Sequence, residues 1–226
     1  MKLFTHLVRV SNPFVRNELH KWISASMIFS VALVIVRIIY TGHLTFIFLV
    51  WNLFLAFIPF SISSYLERNS SWIKNRLRLL VALLAWILFI PNSFYIITDL
   101  FHLGSSAAPI WFDLALLLSF AWNGLILGIV SVRHVEKILQ SVLPKTNEMF
   151  FLAPIMPLNA FGIYIGRYLR FNSWDVIGNP FELMGNISAL VLYPSAYKSA
   201  WAMISCYAVL LSFIYVSMKR MSNLMK

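Results

Sequence analysis

The stretch Leu77–Thr98 reads LRLLVALLAWILFIPNSFYIIT, with a single charged residue, Arg78, near its start. A helix that crosses about 30 Å of hydrocarbon needs about 20 predominantly apolar residues at a rise of about 1.5 Å each. This run has that length and composition. Working outward along the chain, five more such runs follow the same rule: Trp22–Tyr40, Leu44–Leu66, Ile110–Val132, Met149–Leu169 and Ser195–Met218. The fold class that follows is all-α, a polytopic bundle of six transmembrane helices. Residues 1–21 form a basic arm, 22–218 one transmembrane domain, and 219–226 a basic tail.

Composition agrees with lipid as the solvent. Of the 226 residues, 60% are hydrophobic and 12% charged, which is far from the balance of soluble domains. No long polar stretch separates the apolar runs, so no soluble domain is expected. The net charge of +10 raises nucleic acid as a partner, and the distribution of that charge removes the need for one. Fourteen of the 18 Lys and Arg residues fall in the arm, the second and fourth connections and the tail. The other side carries Arg37, Arg167, Arg170 and Lys198, balanced by Asp99, Asp113, Asp175 and Glu182. The positive-inside rule then sets both termini in the cytoplasm. Cys206 is the one cysteine, so no internal disulfide forms, and it reads as a small apolar filler of the last span.

In the fifth connection Asn179, Pro180 and Glu182 take the N-cap, first and third positions of a helix start. A short helix in the outer interface is expected there, its apolar residues being Phe181, Met184, Ile187, Leu190 and Val191, with Pro194 ending it.

Polar residues gather at the outer ends of the middle helices. Should helix continue past Pro91, then Asn92, Tyr95, Asp99 and His102 share one face at steps of three and four. Asp99 and His102 could then share a proton or a metal ion, while a helix end reaching water, where polar residues carry no penalty, accounts for them more simply. Asp113 stands in the first turn of the fourth span, where the helix dipole favours a carboxylate. Asn123 comes ten residues later, roughly 15 Å deeper, where an amide must find partners, with Asn52 and Asn159 as candidates. Gly124 and Gly128 have the small-xxx-small spacing that permits close helix contact.

The densest polar segment is Gly166-Arg167-Tyr168-Leu169-Arg170-Phe171-Asn172-Ser173-Trp174-Asp175. Arginines on the outer side run against the charge bias. Arg167 and Arg170 either neutralise Asp99, Asp113 or Asp175, or hold phosphate or carboxylate in two-point geometry. The candidate acid/base or metal-binding groups are Asp99, His102, Asp113 and Asp175. The candidate substrate-binding groups are Arg167, Arg170, Asn172, Trp174, Asn92 and Asn123. Asp99, Asp113, Arg167, Arg170 and Asp175 are expected to converge in one outer cavity. His6, His20, His43 and His134 lack metal-ligand spacing and receive no role.

Four stretches carry a family resemblance: Trp51-Asn52-Leu53-Phe54-Leu55-Ala56, Phe89-Ile90-Pro91-Asn92 through Asp99-Leu100-Phe101-His102-Leu103, Ser119-Phe120-Ala121-Trp122-Asn123-Gly124, and Gly166 through Asp175. In that order the chain resembles the DUF1361 family of predicted bacterial membrane proteins. The resemblance implies a bacterial inner-membrane protein, and it implies no substrate, cofactor, metal or catalytic residue.

Three classes of function fit these residues. The first is a site on the outer face that binds or processes an anionic lipid or lipid-linked substrate. The second is a small-solute carrier, and the third is a non-catalytic partner of another membrane protein. No phosphate-cradling glycine loop, helical His-Glu-x-x-His or serine nucleophile elbow is present to define an enzyme.

Overall fold

Apolar runs set where this chain is helical, and proline, glycine and asparagine set where the helices stop. The structure, a computed structural model, describes residues 13–104, 108–142 and 148–224. The first half of the basic arm, Lys145 and Lys226 lie outside the described residues. The chain divides into two compact units, Met1–Thr146 and Asn147–Lys226.

The first unit contains α1 (Pro13–Thr41), α2 (Phe48–Arg68), a short α3 (Ser70–Lys74), α4 (Arg76–Tyr95) and α5 (Ile110–Val142). α1 begins at Pro13, inside the segment read as the arm. It ends at Gly42, whose φ of +70° suits a residue without a side chain and whose N–H bonds the Ile38 carbonyl at 2.8 Å. α4 is capped by Asn75, whose Oδ1 accepts from the Leu77 and Arg78 N–H groups, both at 3.1 Å.

Helix does continue past Pro91, but only to Tyr95. It then tightens into a 3₁₀ helix, Ile96–His102. Proline removes one backbone donor, and the Thr98 hydroxyl bonds the Tyr95 carbonyl at 2.7 Å within the tighter turn. Residues three apart eclipse in this geometry, so Asp99 and His102 still share a face.

α2 packs on both α4 and α5, and α1 packs on α5, around Leu49, Leu53, Ile96, Leu116, Leu117 and Phe120. The small-xxx-small reading holds for α5. A Cβ on Gly124 would stand 2.5 Å from the Ser93 carbonyl oxygen of α4, so only glycine allows that approach.

The second unit contains α6 (Glu148–Tyr164), a π-helical turn (Ile165–Leu169), α7 (Asp175–Gly178), α8 (Pro180–Leu192) and α9 (Lys198–Leu224). α6 packs on α9, with Ala160, Leu190, Ala200, Ile204 and Ala208 in the core. α8 is the short helix expected after Asn179, with Pro180 at its start. The Asn179 carbonyl accepts from the Leu183 N–H at 3.2 Å, but its side chain makes no cap bond; its amide donates to the Glu182 carboxylate instead. Cys206 is exposed on α9, not packed as a filler.

Five helical segments among the described residues are long and apolar enough to cross a membrane: Glu18–Thr41, Phe48–Arg68, Arg76–His102, Ile110–Val142 and Lys198–Ser222. Their outward surfaces carry large apolar side chains, among them Ile28, Phe29, Ile39, Leu84, Leu118 and Phe213. Such surfaces require lipid, and the chain is a multi-pass membrane protein.

Candidate functional site

Two polar clusters contain the residues singled out in the sequence, one in each unit. In the first unit the buried stripe of α1, Ile23, Ser30, Val34 and Arg37, faces α5. Arg37 and Asp113, 1% and 0% exposed, form an ion pair: Nε donates to Oδ1 at 2.8 Å and Nη2 to Oδ2 at 3.5 Å. The guanidinium carbon also lies 4.3 Å from the centre of the Phe46 ring. The counter-ion of Asp113 is therefore Arg37 from the first helix. A charge this deep in an apolar bundle is tolerated because it is paired and bonded.

Asp99 is equally buried, and its Oδ2 accepts from Asn52 Nδ2 of α2 at 2.9 Å. His102 turns back on the same turn, its Nδ1 3.1 Å from the Asp99 carbonyl oxygen, and its ring lies against Phe48 with centroids 5.2 Å apart. Asp99 and His102 thus meet through the backbone of the 3₁₀ turn as well as by sequence spacing. Asn92 donates to the Phe89 carbonyl at 3.0 Å. Among the described residues, no three His, Cys, Asp or Glu side chains gather as a metal-ligand set.

Asn123 finds partners other than the asparagines expected. Its Nδ2 lies 2.9 Å from Ser30 Oγ and 3.2 Å from the Ser26 carbonyl oxygen, both on α1, and 2.9 Å from the Ser119 carbonyl oxygen. Asn52 is engaged with Asp99, and Asn159 donates to the Ile155 carbonyl at 2.8 Å. Asn123 is 2% exposed, so it ties α1 to α5.

The second cluster stands on the π-helical turn. Arg167, half-buried, lies within it; Arg170, exposed, follows it with φ 61° and ψ 27°. That is the left-handed region, where a helix-ending glycine is usual, and Arg170 is the one non-glycine residue there among those described. The N–H groups of Arg170 and Phe171 both reach the Ile165 carbonyl, which closes the turn. The chain then folds over Asp175, whose Oδ2 accepts from the Asn172 backbone N–H at 2.6 Å. Trp174 stays partly exposed beside it.

Beside the turn lies a cavity of about 180 Å³ lined by Tyr164, Tyr168, Tyr197, Ser199 and Met203. The Tyr164 and Tyr168 rings stack at 5.3 Å and 15°. Tyr207 lies within electrostatic reach of Tyr168 and of the Arg167 guanidinium. Of the five residues expected to converge, Asp99 and Asp113 belong to the first unit and Arg167, Arg170 and Asp175 to the second.

Sequence reasoning passed over Tyr164, Tyr168 and Tyr197, and it left His134 without a role. Aromatic rings are common in any membrane chain, and His134 finds its partners across gaps of about 70 residues in sequence.

Comparison with known proteins gives one match. The family described as "Protein of unknown function (DUF1361)" matches residues 51–214. No curated protein and no solved structure matches the chain.

Proposed function

The chain belongs to the DUF1361 family, and from that premise we propose that it holds the phosphate of an anionic lipid or lipid-linked molecule on the extracytoplasmic side, at the Ile165–Leu169 turn. The observation that carries this reading is Arg170 in the left-handed conformation directly after a π-helical turn that contains Arg167. Left-handed backbone costs an ordinary residue roughly 1–2 kcal/mol, and both π turns and such residues concentrate at functional sites. A guanidinium is suited to this position because its planar fork meets two phosphate oxygens at once.

The tyrosine-lined cavity supports a headgroup ligand. Tyrosine hydroxyls donate hydrogen bonds while their rings remain in the apolar part of the interface. Asn172 and Trp174 stand on the loop that follows the turn and that Asp175 ties down.

The arrangement favours binding over processing. Asp113 is committed to Arg37 and Asp99 to Asn52, as groups that hold a bundle end together.

The reading includes six crossings. α6 and the π turn together give roughly 30 Å of helix, enough for the sixth. Lys219 and Arg220 set the end of α9 inside, and Arg68, Lys74, Arg76 and Arg78 do the same for the first unit. α8, with Phe181, Met184 and Val191 exposed, then lies in the outer interface.

Native mass spectrometry of the gently solubilised protein tests the proposal. Wild type should retain a phosphate-bearing species that Arg167→Gln loses. A lipid mass and a free phosphate mass distinguish the two sources of that chemistry. Equal retention by both proteins contradicts the reading.

A further inference from the structure

A second polar feature lies at the other end of the first unit, where α2 and α4 present Arg68, Arg76 and Arg78. There a chain of hydrogen bonds enters the bundle. Trp86 Nε1 donates to Ser131 Oγ at 2.7 Å, and Ser131 Oγ lies 3.0 Å from Ser63 Oγ. Ser63 Oγ lies 3.3 Å from His134 Nδ1, and His134 Nε2 lies 3.3 Å from Glu67 Oε2. Trp86, Ser131 and Ser63 are fully buried and His134 is 8% exposed, while the Glu67 side chain is 19% exposed. The chain therefore opens at Glu67.

Its direction follows from donor chemistry. An indole N–H only donates, and a hydroxyl has one proton to give. A neutral His134 turns its Nε2–H to the Glu67 carboxylate, which leaves Nδ1 as the acceptor. Ser63 then has Nδ1 as an acceptor, and Ser131, which accepts from Trp86, has Ser63 Oγ as one. Each hydroxyl also has a second acceptor: the Pro59 carbonyl lies 2.9 Å from Ser131 Oγ, and the Phe60 carbonyl 3.0 Å from Ser63 Oγ.

We propose that His134 is a proton-binding site paired with Glu67, and that its protonation reverses the hydroxyl of Ser63 and is reported at Trp86. A proton from water adds to Nδ1, and the ring changes from neutral to singly positive beside the carboxylate. Nδ1–H now donates to Ser63 Oγ, so Ser63 turns its proton to the Phe60 carbonyl and Ser131 is free to turn to the Pro59 carbonyl. No heavy atom needs to move, because both alternative acceptors already stand at bonding distance. The indole accepts nothing, so the chain ends there. It stores and reports a proton and does not conduct one.

The charged groups around the site are Glu67 and Arg68 on α2, His20 on α1, and Arg133, Glu136 and Lys137 on α5. The His20 ring lies tilted against Phe60, with centroids 5.3 Å apart, and places Nε2 3.3 Å from Arg68 Nη2. α4 contributes Trp86, and its own Arg76 and Arg78 are exposed more than two turns away.

The test is NMR of ¹⁵N-labelled full-length protein in lipid nanodiscs, following the Trp86 indole and the His134 ring between about pH 5 and 8. In wild type both resonances should move together in one step. The Trp86 step should vanish in His134→Asn. In Ser63→Ala the His134 step should remain while Trp86 stays still, and this variant keeps the test available should His134→Asn fail to fold. A Trp86 resonance that never moves in wild type, or that moves equally in Ser63→Ala, overturns the proposal.

Discussion

Arg37 and Asp113, 76 residues apart, meet in a buried ion pair with 2.8 Å between Nε and Oδ1. The pair joins the α1 helix to the first turn of α5, and it settles which arginine serves that carboxylate.

Removing one partner leaves the other charge buried without its counter-ion. Asp113→Ala should lower stability by about 3–5 kcal/mol, whereas Arg37→Met with Asp113→Leu together should recover most of the loss. Thermal unfolding in detergent, followed for Asp113→Ala and for the Arg37→Met/Asp113→Leu double variant, measures this.

Gly124 and Gly128 set how closely α4 and α5 approach. An added Cβ at Gly124 meets the Ser93 carbonyl at 2.5 Å, and one at Gly128 meets the Phe94 ring at 2.7 Å. Backbone cannot swing aside as a ring can. Gly124→Ala should therefore cost about 1–3 kcal/mol and Gly128→Ala less, as read from the two melting temperatures.

Asn123 ties α5 to α1 through Ser30 and the Ser26 carbonyl. Membrane hydrogen bonds between helices average about 0.6 kcal/mol and reach about 1.7, so Asn123→Ala should fall in that range. Combined with Ser30→Ala, the two losses should not add, because both variants remove the same bond. Unfolding free energies of the four proteins decide it.

The helices were legible because their cause is local. A run of about 20 apolar residues is visible without knowing what it packs against, and so are Asn179-Pro180 as a start and Gly124 with Gly128 as a close contact. The partners were not legible. Arg37 near the outer end of the first helix could be expected to join the outer polar cluster, but no local pattern singled out Asp113 within it, and Asn123 chose two serines of α1 over the asparagines with matching chemistry. Such choices depend on which faces of distant helices meet. The change from α to 3₁₀ helix at Ile96 was likewise hidden, although it preserved the shared face of Asp99 and His102. His134 lacked any local pattern, yet it contacts Ser63 and Glu67 across about 70 residues of sequence.

For the candidate site, the sequence showed that the Gly166–Asp175 segment was unusual through its arginines. It did not show that Arg170 would take a left-handed backbone, because a helix-ending conformation of that kind is ordinarily signalled by glycine and no glycine stands there.

The most direct measurement is the affinity of the solubilised protein for a short-chain phosphatidylglycerol, compared between wild type and Arg170→Gly. Glycine suits the left-handed backbone, so the side chain and its guanidinium are removed without backbone strain. The account predicts binding at least about tenfold weaker, or about 1.4 kcal/mol, with a melting temperature equal to or above that of wild type. Equal affinity in the two proteins would contradict it.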